Sequence, residues 1–341
     1  MASLLILGSS PLATSLFGGD AASGAQVTAP SFNGPTGIAA CGSHVWVTNV
    51  SGSSVTEFDE SNGALVRIIS GAPSIFSEPM GIAANRTDVW VANLSSNSVE
   101  EINCVTGSSI RSITKGSLNS PVAVAVDGTK VWVASQGNLS DTAGNVIPNS
   151  SFVAAYGTAN GSLEESVNGT NGNGLNGSSG ISSGGGDIWI TNAVGNSVTE
   201  LNAVNGRVVR HVDGGGFNWP MGIVTTGTDV WVGNLYGNSL SEINESTGSL
   251  VRVVTGDGLD GPNSLCVLGK DIWVANLFGN SVTELNARTG SLVRVIRSKM
   301  DGFSAPIGVT STEAAVWVTN QWSNTVTELN ASSGSLERII R

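Results

Sequence analysis

Seven short strings decide the fold: VWVTN at 45–49, VWVAN at 89–93, VWVAS at 131–135, IWITN at 188–192, VWVGN at 230–234, IWVAN at 272–276 and VWVTN at 316–320. Their tryptophans, Trp46, Trp90, Trp132, Trp189, Trp231, Trp273 and Trp317, are spaced by 44, 42, 57, 42, 42 and 44 residues. A fixed period of this length is the mark of a repeat architecture. The single long spacing places an insertion in the third repeat.

Other segments keep step with the tryptophans. Before each lies an apolar residue, two spacers, Pro, a variable residue, a small residue and an apolar one. FNGPTGI at 32–38, FSEPMGI at 76–82, FNWPMGI at 217–223 and FSAPIGV at 303–309 show it, with variants LNSPVAV at 118–124 and LDGPNSL at 259–265. The fourth repeat has LNGSSGI at 175–181, with Ser178 in place of Pro. After each tryptophan come segments like SVTELN at 281–286 and LVRVI at 292–296. Each repeat thus holds four β-branched runs separated by turn residues. Four strands in roughly forty-two residues is the size of a propeller blade. The expected fold is all-β: a seven-bladed β-propeller of four-stranded antiparallel blades, spanning residues 29–341. The strands are named A to D from the axis outward. The recurring tryptophan on strand B is expected to pack between blades as core.

A charge pattern supports the register. Strand C carries Glu and strand D carries Arg ten residues on, in Glu57–Arg67, Glu101–Arg111, Glu200–Arg210, Glu242–Arg252, Glu284–Arg294 and Glu328–Arg338. A C–D hairpin sets each pair side by side as a cross-strand ion pair worth roughly 0.2–1 kcal/mol. In the third blade Ala154 and Glu165 take the two places.

The bulk properties narrow the partners. The net charge is −11 and the pI about 4.6. Such a surface repels nucleic acid, and no Lys/Arg cluster offsets it. No apolar run is long enough for a transmembrane helix. Residues 1–28 read as a leader: LLILGSSPLATSLF at 4–17, then AASGAQ at 21–26, resemble the h-region and cleavage zone of a secretory signal, though no basic residue precedes Arg67. A secreted or extracytoplasmic monomer is expected. Cys41, Cys104 and Cys266 fall in different blades without CxxC spacing, and are expected to be free thiols.

The F-x-x-P-x-G-I, V-W-V-x-N and S-V-T-E-L-N motifs resemble NHL and YVTN-type repeat propellers, and more distantly the virginiamycin B lyase-like propellers. That resemblance covers residues 32–341. It implies a sensor, an interaction scaffold, or a lyase or lactone hydrolase acting at the channel mouth. The lyase-like relatives are associated with a His-containing, metal-assisted site. Here the two histidines are His44, beside an A–B turn, and His211, on outer strand D.

Positions that break the repeat are the candidates for function. The D–A and B–C connections share one face and hold three deviations. The first is the long B–C connection SQGNLSDTAGNVIPNSS at 135–151, with Gln136, Asn138, Asp141 and Asn145. The second is an aromatic arc of Phe217, Trp219, Tyr236, Phe278 and Trp322 in blades five to seven. The third is a near-ring of strand-B asparagines, Asn49, Asn93, Asn192, Asn234, Asn276 and Asn320, suited to capping the next turn. No cofactor or metal is expected, since Asp88, Asp187, Asp229 and Asp271 spread around the opposite face. The reading is a non-catalytic binding propeller for a protein, peptide or carbohydrate ligand. In the enzyme alternative, acid–base groups come from Asp141, Tyr236 or Glu78.

Overall fold

The computed structural model describes residues 32–70, 75–116, 118–138, 149–297, 300 and 302–341. Among these, twenty-eight strands form seven four-stranded antiparallel sheets, each in the order A-B-C-D. Blade one is Pro35–Cys41, His44–Asn49, Ser54–Asp59 and Leu65–Ile69. Blade seven is Pro306–Ser311, Ala315–Asn320, Thr325–Asn330 and Leu336–Ile340. The sequence's period is therefore the blade. A lone 3-10 turn, Thr170–Gly172, sits between blades three and four.

Burial explains why the strands read as they do. Strands B and C are buried almost throughout, while strand D alternates exposed and half-buried residues at the rim. The seven repeat tryptophans are 0–1% exposed. Each packs against the following blade: Trp90, for example, joins Leu118, Val124, Val131, Val133 and Tyr156 of blade three. An indole fills the wedge-shaped gap that opens between two twisted sheets radiating from one axis.

Near the axis, seven A strands crowd together. A Cβ on Gly37 would lie 2.4 Å from the Met80 carbonyl oxygen of the next blade, and one on Gly308 would lie 2.3 Å from that of Thr36. At these two positions only a residue without a side chain fits, while blades three and six hold the small Ala123 and Ser264 at the equivalent place. Strand-B threonines stitch the same seams. The hydroxyls of Thr48, Thr191 and Thr319 donate to the carbonyls of Met80, Met221 and Thr36, each at 2.7 Å. The last bond closes blade seven onto blade one.

At the outer edge, the Glu–Arg pairs stand in register. Glu57, Glu101, Glu200, Glu242, Glu284 and Glu328 sit directly opposite their arginines. Arg Nε lies 2.5–2.6 Å from the carboxylate in blades one, two, four, five and six, and Glu328–Arg338 pairs likewise. They are not the surface pairs that a C–D hairpin suggests, because the glutamates are only 0–6% exposed. Each guanidinium then reaches past its own blade. Arg111 donates to the Ala159 carbonyl (3.1 Å), Arg210 to Ser246 (3.1 Å), Arg294 to Ser332 (3.0 Å) and Arg338 to Ser61 (3.1 Å). Arg67 and Arg252 reach Val105 and Arg288 at 3.3 Å. All these carbonyls lie in the C–D turn of the following blade. The glycine of that turn has positive φ, and a Cβ there would strike the arginine stem, as at Gly161 against Arg111 and Gly248 against Arg210.

Blade three corrects the expected register by one residue. Ala155, not Ala154, stands opposite both Trp132 and Glu165. Nor is the charge simply lost there. Lys130, at the start of strand B, lies 3.3 Å from Glu165 and donates to the Val204 carbonyl of blade four at 2.7 Å. A cation still crosses the seam, but from a different strand.

The cysteines are a second correction. Cys41, ending strand A of blade one, and Cys104, following strand C of blade two, form a disulfide with Cα atoms 6.2 Å apart. They occupy unlike places in the repeat, but those places meet across a seam. The equivalent pair in blades four and five is Gly184 and Glu245, where a Cβ on Gly184 would lie 3.0 Å from the carboxylate. Only Cys266 is a free thiol, and burial pushes it up to about 12.

Substituting Arg294→Ala strands Glu284, 2% exposed, without its cation. Stability should fall by roughly 2–4 kcal/mol in chemical denaturation. A loss below about 0.5 kcal/mol would mean that the pair behaves like an exposed one. Burial also pushes the carboxyls of Glu101, Glu200, Glu242 and Glu284 up to about 7, outweighing the pull of their arginines. The folded state thus holds protons that the unfolded chain releases near 4.5. This contribution to stability is complete below about pH 4.5 and is lost as pH rises through about 7. Melting temperature should decline across that window, and a rise from pH 5 to 8 would contradict it.

Candidate functional site

The A strands enclose a central channel of about 320 Å³. Its lower wall is apolar, with Ile38, Ile82, Val124, Ile181, Ile223, Leu265 and Val309 from the seven successive blades. At the D–A/B–C end the residue after each repeat proline forms a tier: Thr36, Met80, Val122, Ser179, Met221, Asn263 and Ile307. Among the described residues, none of the lining side chains is titratable.

The mouth is lopsided. On one side, Leu235, Leu277 and Ala305 form a small cluster with Trp219 and Met221. Trp219 is the one aromatic residue lining the channel among those described. Its ring lies 5.5 Å from that of Tyr236, which stacks on Phe278 at 6.1 Å and 15°. Tyr236 and Phe278 are 47% and 42% exposed, so this run of rings leads from the channel onto open surface.

Trp219 is held in an unusual way. The residue before the repeat proline has positive φ in every blade: it is Gly34, Glu78, Ser120, Gly177, Trp219, Gly261 and Ala305. Trp219 has φ 56°. A tryptophan in this region costs roughly 1–2 kcal/mol relative to glycine. What fixes it is the preceding blade, where the Asn196 side-chain carbonyl accepts the Trp219 N–H at 2.7 Å. Asn324, Asn97, Asn238 and Asn280 do the same for Gly34, Ser120, Gly261 and Ala305. The seams therefore position the mouth.

Across the mouth stands Gln136, the residue after strand B of blade three, and 5% exposed. Its main chain is engaged: the N–H donates to Ser120 and the carbonyl accepts the Ser151 hydroxyl. Gln136 lines the channel, and nothing among the described residues bonds its carboxamide. The corresponding residues include Leu94, Leu235 and Leu277, which are buried and apolar.

The other expected positions divide. Phe217 is not a mouth residue. It packs with Trp189, Val198 and Ile223 between blades four and five, the place that Phe32 and Phe76 hold elsewhere. Trp322, 63% exposed, stands apart from the stacked rings. Asn138 is exposed and accepts the Ser150 hydroxyl at its carbonyl. Asp141 and Asn145 lie outside the described residues. The asparagine ring does not face the channel. Asn49, for example, is fully buried, donates to Thr56 at 2.9 Å and accepts the Asn33 N–H at 3.2 Å, tying the D–A connection to strand C. Glu78 accepts a hydrogen bond from Ser95. His44 contacts buried Glu57 at 2.5 Å on the opposite face, and His211 pairs with Asp213 at 3.1 Å on the rim. Neither histidine lines the channel.

Sequence reading missed the mouth tier, chiefly Met80, Met221 and Asn263, and the buried leucines Leu235 and Leu277. The signal was present. The residue after the repeat proline differs among blades while its neighbours stay constant.

This architecture is that of a seven-bladed β-propeller. No family model matches the sequence and no curated protein does. Solved structures do resemble the chain. A streptogramin B lyase structure aligns at 16% identity over 86% of this chain and 93% of its own, with TM-score 0.70. Hydrazine synthase of Kuenenia stuttgartiensis aligns at 18% over 92% and 99%, with TM-score 0.72. A catalytically inactive histidine-to-alanine variant of virginiamycin B lyase from Staphylococcus aureus, with quinupristin, aligns at 16% over 86% and 94%, with TM-score 0.67. What these proteins share with this chain is the fold.

Two variants isolate the backbone constraint at Trp219. Trp219→Gly and Trp219→Ala both remove the ring, but only glycine relaxes the positive φ. The glycine variant should be more stable by about 1 kcal/mol. Equal denaturation midpoints would show that the left-handed conformation carries no cost here.

Proposed function

We propose that this chain is a non-catalytic binding propeller that takes an uncharged ligand at the channel mouth on the D–A/B–C face. The observation that carries the reading is the pairing of a buried Gln136, whose carboxamide no other described residue bonds, with the stack that runs from Trp219 to the exposed Tyr236 and Phe278. A cavity of about 320 Å³ with an apolar wall and few polar groups is typical of a ligand site. Location outside the cytoplasm is supported by the Cys41–Cys104 disulfide, since such bonds persist in oxidising compartments. The NHL and YVTN affinity rests on the repeat motifs.

The enzyme reading draws on virginiamycin B lyase, whose variant lacking a histidine is inactive. His44 and His211 are both held by carboxylates away from the channel. Among the described residues, no group of three or more His, Cys, Asp and Glu side chains converges as a metal site. Of the groups that the enzyme alternative calls on, Glu78 is bonded by Ser95 and Tyr236 stacks between Trp219 and Phe278, while Asp141 lies outside the described residues.

A fragment screen by ligand-observed NMR tests the site. Hits on the wild type should be lost in the Trp219→Gly, Tyr236→Ala, Phe278→Ala triple variant, with the fold unchanged by circular dichroism. Hits that survive would move the site elsewhere. Turnover of lactones or cyclic depsipeptides, with or without Mg²⁺, would replace the binding reading with an enzymatic one.

A further inference from the structure

We infer that the ligand is an uncharged peptide segment that seats one apolar side chain in the channel mouth and pairs a backbone amide with Gln136. The inference rests on the binding reading above and specifies the chemistry that the same site selects.

The well excludes charge. Among the described residues no lining side chain is titratable, so an ionised group entering the well would lose its water and meet no counterion from them. Met80 and Met221 flank the entrance. Unbranched thioether side chains adapt to apolar shapes, which suits an aliphatic or aromatic residue. A cavity of about 320 Å³ is large enough for one such side chain.

Polar capacity at the mouth is nearly all used internally. The Thr36 hydroxyl bonds that of Thr48 at 2.9 Å, and the Ser179 hydroxyl donates to Pro220 at 2.8 Å. The Asn263 amide donates to Ile307 at 2.8 Å. Among the described residues the Gln136 carboxamide is left without a partner, offering its NH2 group as donor and its carbonyl as acceptor at a single point. A peptide group is its complement, with one N–H and one C=O. A sugar ring is a poor complement, because it would bury several hydroxyls against an apolar wall with one carboxamide to serve them. Outside the well, Trp219, Tyr236 and Phe278 provide a surface for the flanking residues of an extended peptide, where aromatic rings add contact area.

The test uses the full chain and the indole N–H signal of Trp219, assigned by its loss in Trp219→Gly. Probes are N-acetyl-phenylalanine N-methylamide, the corresponding aspartate and lysine derivatives, ethylbenzene and maltotriose. The phenylalanine probe should shift the signal more strongly than either charged one. Gln136→Leu should weaken the phenylalanine probe roughly five-fold and leave ethylbenzene unchanged. That variant should fold, since blades two, five and six carry leucine at this place. Charged probes binding as tightly, no effect of Gln136→Leu, or tighter binding of maltotriose would overturn the peptide inference while preserving the site. If no probe moves the Trp219 signal, both the inference and the mouth as a binding site fail.

Discussion

A ring of separate sheets is only as sound as its weakest seam. Among the described residues no backbone ladder crosses from one blade to the next, so side chains do that work. In this protein every seam carries a cation laid onto the C–D turn of the following blade. Arginine does so from strand D in six blades and Lys130 from strand B in blade three. The exception identifies the constraint. What is kept is a positive charge between a carboxylate and a carbonyl, not a residue type or a strand position. Because the glutamate is buried, the arrangement has a desolvation cost, and removal of one member leaves a worse state than either the intact pair or an apolar replacement of both.

The same seams explain how an asymmetric site stands on a symmetric scaffold. Asparagine side chains from one blade grip the main chain just before the proline of the next. Those main-chain positions are fixed in the left-handed region regardless of the side chain attached. Glycine is the unstrained choice, and three blades use it. Blade five uses Trp219, at the channel edge beside Tyr236. The scaffold tolerates this departure because the backbone conformation is imposed from the neighbouring blade. Likeness to solved propellers at 16–18% identity is consistent with a fold that depends on few positions per repeat.

The fold was legible because its determinants recur. Seven tryptophans and six Glu–Arg pairs at constant offsets are hard to misread, and the ladder places each pair opposite. What stayed hidden depends on contacts between unlike positions of adjacent repeats. Cys41 and Cys104 do not align within the repeat, so comparison of like with like could not pair them. Lys130 replaces an arginine from another strand for the same reason. Ala155 was displaced by one residue because the insertion at 135–151 breaks the spacing that anchors the count. Of the candidate site, Gln136 and the Trp219–Tyr236–Phe278 group were recoverable from departures in the pattern. Phe217 looked like such a departure only because of its aromatic neighbour, and it holds an ordinary core place. Met80 and Met221 vary as the site residues do, but strand A's interior location concealed their access to the channel.

The disulfide gives the ring a direction. Each of its seven seams carries a cation, yet among the described residues only that between blades one and two also carries a disulfide. The seam that joins blade seven to blade one is bridged by polar contacts of Thr319, Asn324 and Arg338. A mechanical load that separates the two ends of the chain therefore meets a reinforced side and a plain one. Blades one and two are riveted into a single unit, while blade seven meets blade one through side-chain contacts and no disulfide among the described residues.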